Sequence, residues 1–175
     1  MSIFRRCPAR PRTRLDPMNG HTAHPIPPGV LQELRATDDA GRRPVPVTDE
    51  EGGAPLRCCL RHSRAGERIA LVSYAPLRRR AAATGADPGP YDEQGPVFVH
   101  AEECPGPETD RLPFTNSHRV LRRYSAHGHI LGGRLVGDPG AFGYALREAF
   151  DDPAVAFVHV RAVEYGCFLY EVTRD

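Results

Sequence analysis

The chain has 175 residues, 40% of them apolar and 7% aromatic, and a net charge of +1 at neutral pH. The length suits one domain around one core, and the near-zero charge argues against a dedicated nucleic-acid binder, which would be clearly basic. No run of ~18 apolar residues occurs, so no membrane-spanning helix is expected.

The 23 basic residues are all Arg, and 17 Gly and 18 Pro accompany them. This reads as the codon bias expected of a GC-rich bacterial genome, so an Arg run says less here about Arg-specific recognition. The Gly and Pro content implies much loop and turn. Five Cys (7, 58, 59, 104 and 167) show no CxxC and no paired spacing. They read as reduced thiols in a cytoplasmic protein rather than as a disulfide scaffold.

Residues 1–25 read as a disordered Arg/Pro-rich arm. MSIFRRCPARPRTRLDP has an Arg pair but no apolar stretch behind it, so it is not read as a signal peptide, and Met18 offers an alternative start. Residues 26–175 then form the single domain. PPGVLQELRATDDAG (27–41) predicts a short helix, with Pro in its first turn and an apolar stripe of Val30, Leu31 and Leu34. ERIALVSYAP (67–76) predicts a strand apolar on both faces, hence central. Residues 78–94 are expected to be a long loop. GPVFVHA (95–101) and HILGGRLV (129–136) are further strands. DPGAFGYALREAFDD (138–152) is the clearest helix, with Asp138 as N-cap and Pro139 after it. The sum is an α+β fold: a mainly antiparallel sheet of five or six strands with one or two helices packed on one face.

Charge is segregated. Residues 57–80 hold seven Arg against Glu67, whereas residues 81–110 hold seven acids and no Arg. The two segments are expected to lie near each other or to be solvated, with anion binding by the basic one as the sharper alternative.

The closing stretch VAFVHVRAVEYGCFLYEVTRD (155–175) predicts a β-hairpin with Gly166 in the left-handed position of a three-residue loop, Glu164-Tyr165-Gly166. This register pairs Val163 with Cys167, Arg161 with Leu169 and His159 with Glu171. It gathers Val158, Val160, Ala162, Phe168, Tyr170 and Val172 on a core face. His159 and Cys167 are then four residues apart along the strands, roughly 14 Å, too far to share a metal or to act as nucleophile and base. His159, Arg161 and Glu171 remain as a polar cluster on the other face, expected to be a solvated cross-strand pair or a binding face.

Two short clusters, His127-Gly128-His129 and HAEEC (100–104), contain metal-ligating residue types, but each is a single local cluster and no metal site is assigned. Adjacent Cys58 and Cys59 are expected to point to opposite faces of a strand as small buried hydrophobes. No GxSxG, P-loop, HExxH or GxGxxG occurs, so neither an activity nor a cofactor is assigned.

Four stretches carry a resemblance: PLRCCLRHSRAGERIALVSY (55–74), YDEQGPVFVH (91–100), RRYSAHGHI (122–130) and DDPAVAFVHVRAVEYGCFLYEVTR (151–174). Together they resemble the bacterial family catalogued as domain of unknown function 1203, over roughly Ile26 to Arg174. The resemblance implies one small cytosolic domain and no particular reaction. Leu56 stands where the family pattern has Cys before Arg57, and Cys58 and Cys59 fall at positions that are not cysteine in relatives. The matching positions include Arg57, Gly95, Pro96, His100, Tyr124, His159, Gly166 and Cys167.

The favoured reading is a binding domain for a small anionic molecule, with Arg57, Arg123 and Arg161 supplying charge-assisted hydrogen bonds and His100, His159 and Glu171 completing the pocket. One alternative is an enzyme with a His-based general acid/base on the terminal hairpin. Another is an Arg-mediated interaction module on residues 57–80. The first reading requires Arg57, His100 and His159 to converge.

Overall fold

The structure, a computed structural model, describes residues 20–175. The arm expected over residues 1–25 therefore lies outside the described residues up to position 19, as does the Met18 start. The end of that span is ordered, because β1 (His21–His24) is a strand.

Two five-stranded sheets make up the fold. The first sheet has the order β1, β10 (Phe168–Arg174), β9 (Phe157–Ala162), β7 (Arg119–Tyr124) and β8 (Ile130–Val136), all antiparallel. The second has the order β2 (Val47–Asp49), β5 (Glu67–Tyr74), β6 (Gly95–His100), β3 (Pro55–Leu56) and β4 (Arg61–His62). Only β3 and β6 run parallel. Among the described residues three α-helices complete it: α1 (Pro28–Ala36), α2 (Pro76–Thr84) and α3 (Phe142–Ala149). The class is α+β and mainly antiparallel, as the sequence implies. The strands among the described residues number ten, because short pieces such as β3 and β4 are two residues long and carry no readable period.

Local chemistry explains the elements that the sequence shows. Leu31 and Leu34 bury the face of α1. The Asp138 side chain accepts from the Gly140 N–H at 2.9 Å and caps the short 3₁₀ turn Pro139–Ala141 that leads into α3. Phe142, Ala145, Leu146 and Ala149 then form one buried stripe on α3. β5 is indeed internal, between β2 and β6, although Leu71 stays half exposed.

The expected loop over 78–94 begins instead as α2. Its first residue is Pro76, a favoured first-turn residue, and it stops at Gly85, which takes φ +72 and donates its N–H to the Ala81 carbonyl. Only Pro76 and Leu77 are buried on this helix, so it has no apolar stripe to announce it.

The helices also do not share one face. α3 covers the side of the first sheet that carries Val158, Val160, Tyr170 and Val172. Leu77 of α2 packs with Tyr124 and Phe157, which point the opposite way because strand side chains alternate. The core of the second sheet joins Leu31 and Leu34 of α1 to Ile69, Val72, Val97 and Val99, and it takes in Phe168 from the first sheet. Among the described residues no helix is long and apolar enough to cross a membrane.

Charge segregation is resolved by proximity. Arg64, Arg68 and Arg78 from the basic segment pair with Glu108, Glu102 and Asp92 from the acidic one, at 3.9, 3.1 and 3.1 Å. These exposed pairs contribute little each, but they neutralise the basic segment.

Phe168 is the side chain that carries the first sheet into the second core. Phe168→Ala should lower the unfolding free energy by about 3–5 kcal/mol, measured by urea denaturation, and should destabilise the β9–β10 amides in hydrogen exchange together with those of β5–β6.

Candidate functional site

The terminal hairpin forms with His159 opposite Glu171, as its alternation predicts. Gly166 takes φ +64. Nearer the turn the ladder departs from the expected register. Arg161 lies opposite Phe168, not Leu169, because the register shifts between Phe168 and Tyr170. The shift sends Phe168 toward the second sheet and Leu169 into the core under α3. One extra residue in a bulge reassigns the faces beyond it, and alternation alone cannot show it.

The expectation that His159 faces solvent is overturned. His159 is fully buried, because α2 and the second sheet cover that face. Tyr124, Phe157 and Phe168 surround its ring at centroid distances of 4.6, 5.3 and 4.9 Å. Its Nε2 lies 3.3 Å from Glu171 Oε2, and the other Glu171 oxygen accepts from Arg80 of α2 at 2.7 Å. The Arg80 guanidinium also lies 4.0 Å from the Phe157 ring centroid. His159 Nδ1 is buried without a hydrogen-bond partner. Burial lowers the His159 pKa, against the opposing pull of Glu171. Burial acts to raise Glu171, but the His159 hydrogen bond and the Arg80 charge prevail and lower it. A neutral imidazole donating from Nε2 to an ionised carboxylate fits both directions. This chain of three residues locks α2 to the hairpin.

Beside it lies a cleft of about 180 Å³ lined by Tyr74, Glu93, Pro96, Arg161, Cys167 and Phe168, among others. Arg161 donates from Nε to the Gly166 carbonyl at 2.7 Å and from Nη1 to Glu93. Arg122, from β7, donates to the same Glu93 oxygen at 2.8 Å. Glu93 sits in the connection before β6 with its side chain 37% exposed, whereas the Arg161 side chain is 10% exposed. Below the cleft, Arg57 is buried and donates from Nε to the Phe168 carbonyl at 2.8 Å and from Nη1 to the Pro55 carbonyl. Among the described residues Arg57 forms no ion pair. Burial lowers its pKa to about 10, which leaves it charged at neutral pH. Three guanidiniums against Glu93 leave two positive charges around the cleft.

The six residues expected to share a pocket are thus divided. Arg161 lines the cleft, whereas Arg57 does not and reaches it only through its bond to the carbonyl of the lining residue Phe168. His159 and Glu171 form the buried lock behind it. Arg123 packs its guanidinium over Gly132 of β8, where an added Cβ would lie 2.5 Å from Nη2. His100 is drawn into a different group: its Nδ1 lies 3.2 Å from Cys58 Sγ and 3.8 Å from Cys59 Sγ, and Cys104 joins them. Cys58 and Cys59 are buried as expected, but they lie in a turn between β3 and β4, so both thiols reach one side. His127 and His129 are exposed in the β7–β8 turn and remain apart from this group. The residues that sequence reasoning missed are Glu93, Arg122 and Arg80, whose partners are 68, 29 and 91 positions away.

A family model described as "Protein of unknown function (DUF1203)" matches residues 53–174. That span includes the cleft, the His159–Glu171–Arg80 lock and the thiol–imidazole group. No curated protein and no solved structure matches the chain.

The His159 pKa direction makes a test of the lock. With the folded pKa below the ordinary value near 6.5, the unfolded chain binds a proton that the folded chain refuses. Stability is therefore full above ~6.5 and falls as pH drops through the lowered folded pKa. In urea titrations between about pH 7.5 and pH 5, His159→Gln should show a shallower loss than wild type. His21 and His62, also lowered by burial, should supply the remaining slope.

Proposed function

We propose a ligand-binding role for this chain, which belongs to the DUF1203 family, described only as of unknown function: it binds a small carboxylate in the cleft beside Arg161. The observation that carries this reading is the meeting of Arg161 and Arg122 on one carboxylate at the cleft wall, with the uncompensated Arg57 below. A guanidinium held out of water favours a carboxylate partner strongly. Glu93 supplies one from an exposed connection and so stands where a ligand's carboxylate would go. Tyr74, Phe168, Pro76 and Pro96 give the cleft apolar walls. About 180 Å³ is room for about six water-sized groups, which suits a compact carboxylic acid and not a nucleotide.

Other observations weigh against the alternatives. A general base on the hairpin needs access to substrate, and His159 is fully buried and does not line the cleft. An interaction surface on residues 57–80 needs free arginines. Arg61, Arg64, Arg68, Arg78, Arg79 and Arg80 each have a carboxylate partner, and Arg57 is buried. A reducing, cytoplasmic setting fits the four free cysteines of the described residues.

Calorimetric titration with acetate, benzoate and phosphate tests the reading. The carboxylates should bind and should raise the melting temperature. Arg161→Gln should weaken binding by about 10–100-fold, the loss of one charge-assisted hydrogen-bonding group. Glu93→Gln should strengthen it, because the internal competitor is gone. A purely structural Arg–Glu contact predicts destabilisation and no binding in that variant. Absence of carboxylate binding in both wild type and Glu93→Gln at millimolar ligand would overturn the proposal.

A further inference from the structure

We infer that Cys58, Cys59, His100 and Cys104 form a zinc site. Their donor atoms, three Sγ and one imidazole nitrogen, all lie within 4.8 Å of one another. The set is drawn from three separate pieces of chain: the turn after β3, the last residue of β6 and the connection four residues beyond it.

Ligand type and number come first. Three thiols and one imidazole are the donors of a closed tetrahedral zinc site, and soft sulfur disfavours magnesium and calcium. Zinc–sulfur bonds of ~2.3 Å and a zinc–nitrogen bond of ~2.0 Å place tetrahedral donors about 3.5–3.8 Å apart. Nδ1 of His100 already stands 3.2 Å from Cys58 Sγ and 3.8 Å from Cys59 Sγ, so closure on an ion needs only small side-chain adjustments. Adjacent cysteines on a strand could not do this. Here residues 57–60 turn, Leu60 takes a left-handed φ of 57, and its N–H donates to the Leu56 carbonyl at 3.0 Å. That turn brings both thiols to one side.

The surroundings support the donors. The backbone N–H of His100 donates to Cys58 Sγ at 3.3 Å, a bond that favours thiolate over thiol. The carbonyl of His100 accepts from Arg35 Nε at 3.0 Å, which fixes the backbone that presents the imidazole. With Nδ1 on the metal, the ring proton resides on Nε2, which lies 3.3 Å from Arg61 Nη2 and 3.5 Å from the Glu67 carboxylate, so a small turn of the ring away from the guanidinium gives that proton its acceptor. Glu67 is itself gripped by Arg61 through both oxygens, at 2.9 and 2.7 Å. A carboxylate behind a histidine ligand orients the ring and raises its basicity. Glu67 is therefore a positioning residue and Arg61 its anchor.

An ion also needs a way in. Cys59 and Arg61 line a second cleft, of about 390 Å³, together with residues of the 107–113 connection. Cys59 is the ligand through which metal enters. Four protein donors leave no open coordination position, so the site holds the fold together and activates no water. It would pin the Cys58–Cys59 turn to the end of β6, where the chain between Ala101 and Arg119 has no helix or strand.

The test uses the full chain, purified under reducing conditions and supplied with Zn²⁺. Metal analysis should find one zinc per chain, and Co²⁺ should give the intense visible absorption of a tetrahedral thiolate-rich site. Cys104→Ser should abolish the cobalt spectrum, whereas Cys167→Ser, at a free thiol outside the set, should leave it intact. Glu67→Gln should retain the fold and weaken zinc binding by about 10–100-fold against a chromophoric chelator, so the inference stays testable if Cys104→Ser does not fold. Failure of the folded, reduced chain to take up zinc would overturn it. So would binding that survives both Cys104→Ser and His100→Ala, or retention of iron or copper in place of zinc.

Discussion

The register shift on β10 between Phe168 and Tyr170 is the constraint on which the rest of the structure depends. Without it, Phe168 would lie under α3 with Tyr170 and Val172. With it, the ring crosses to the second sheet and packs at 5.5 Å from Tyr74 and at 4.9 Å from His159. The Phe168 carbonyl then meets the Arg57 guanidinium from the turn after β3. A single inserted residue thus joins the two sheets by both an apolar and a polar contact. It also sets Arg161 opposite Phe168 rather than Leu169. Bulges concentrate where a side chain must be re-aimed, and this one re-aims two, Phe168 and Leu169.

The arginines show why composition was a poor guide to recognition here. In a chain without Lys, Arg must serve every purpose that a cation serves. Some arginines pair across the surface. Others act as multi-donor braces on backbone carbonyls: Arg174 takes those of Val155 and Phe150, Arg35 that of His100, and Arg57 those of Phe168 and Pro55. Five donors in a planar fork suit this work, and an ammonium does not. Arg161 differs because one of its bonds goes to a half-exposed carboxylate in a cleft, and a ligand can compete for that kind of bond.

Legibility followed the local signals. α1, α3, β5, β6 and β8 were readable because capping residues, periodicity and alternation are local. So was the pairing of His159 with Glu171, because it lies on the regular side of the bulge. α2 shows itself in sequence only through Pro76, an Arg- and Ala-rich body and Gly85. It has no apolar stripe, and Arg79 and Arg80 anchor it to Asp39 and Glu171, 40 and 91 residues away. The burial of His159 was hidden for a related reason. A strand shows which residues share a face, but a second sheet arriving over the polar face is a tertiary fact. The thiol group was half visible in HAEEC, which supplies His100 and Cys104. Cys58 and Cys59 point to opposite faces only on an extended strand, and the turn removes that premise.

The segment from Pro55 to Arg61 connects the two proposed sites. Arg57 reaches from it toward the cleft, Cys58 and Cys59 reach toward His100, and Arg61 anchors Glu67 behind that imidazole. Three successive residues therefore point into two environments, which is possible only because the backbone turns through the left-handed conformation at Leu60. The turn is buried from Leu56 to Leu60, and its backbone bonds to Ile26, to Phe98 and across itself from the Leu60 N–H to the Leu56 carbonyl. A zinc ion bound by Cys58 and Cys59 would hold the turn through bonds far stronger than its own backbone contacts. The buried Arg57 charge would then be fixed beneath the cleft.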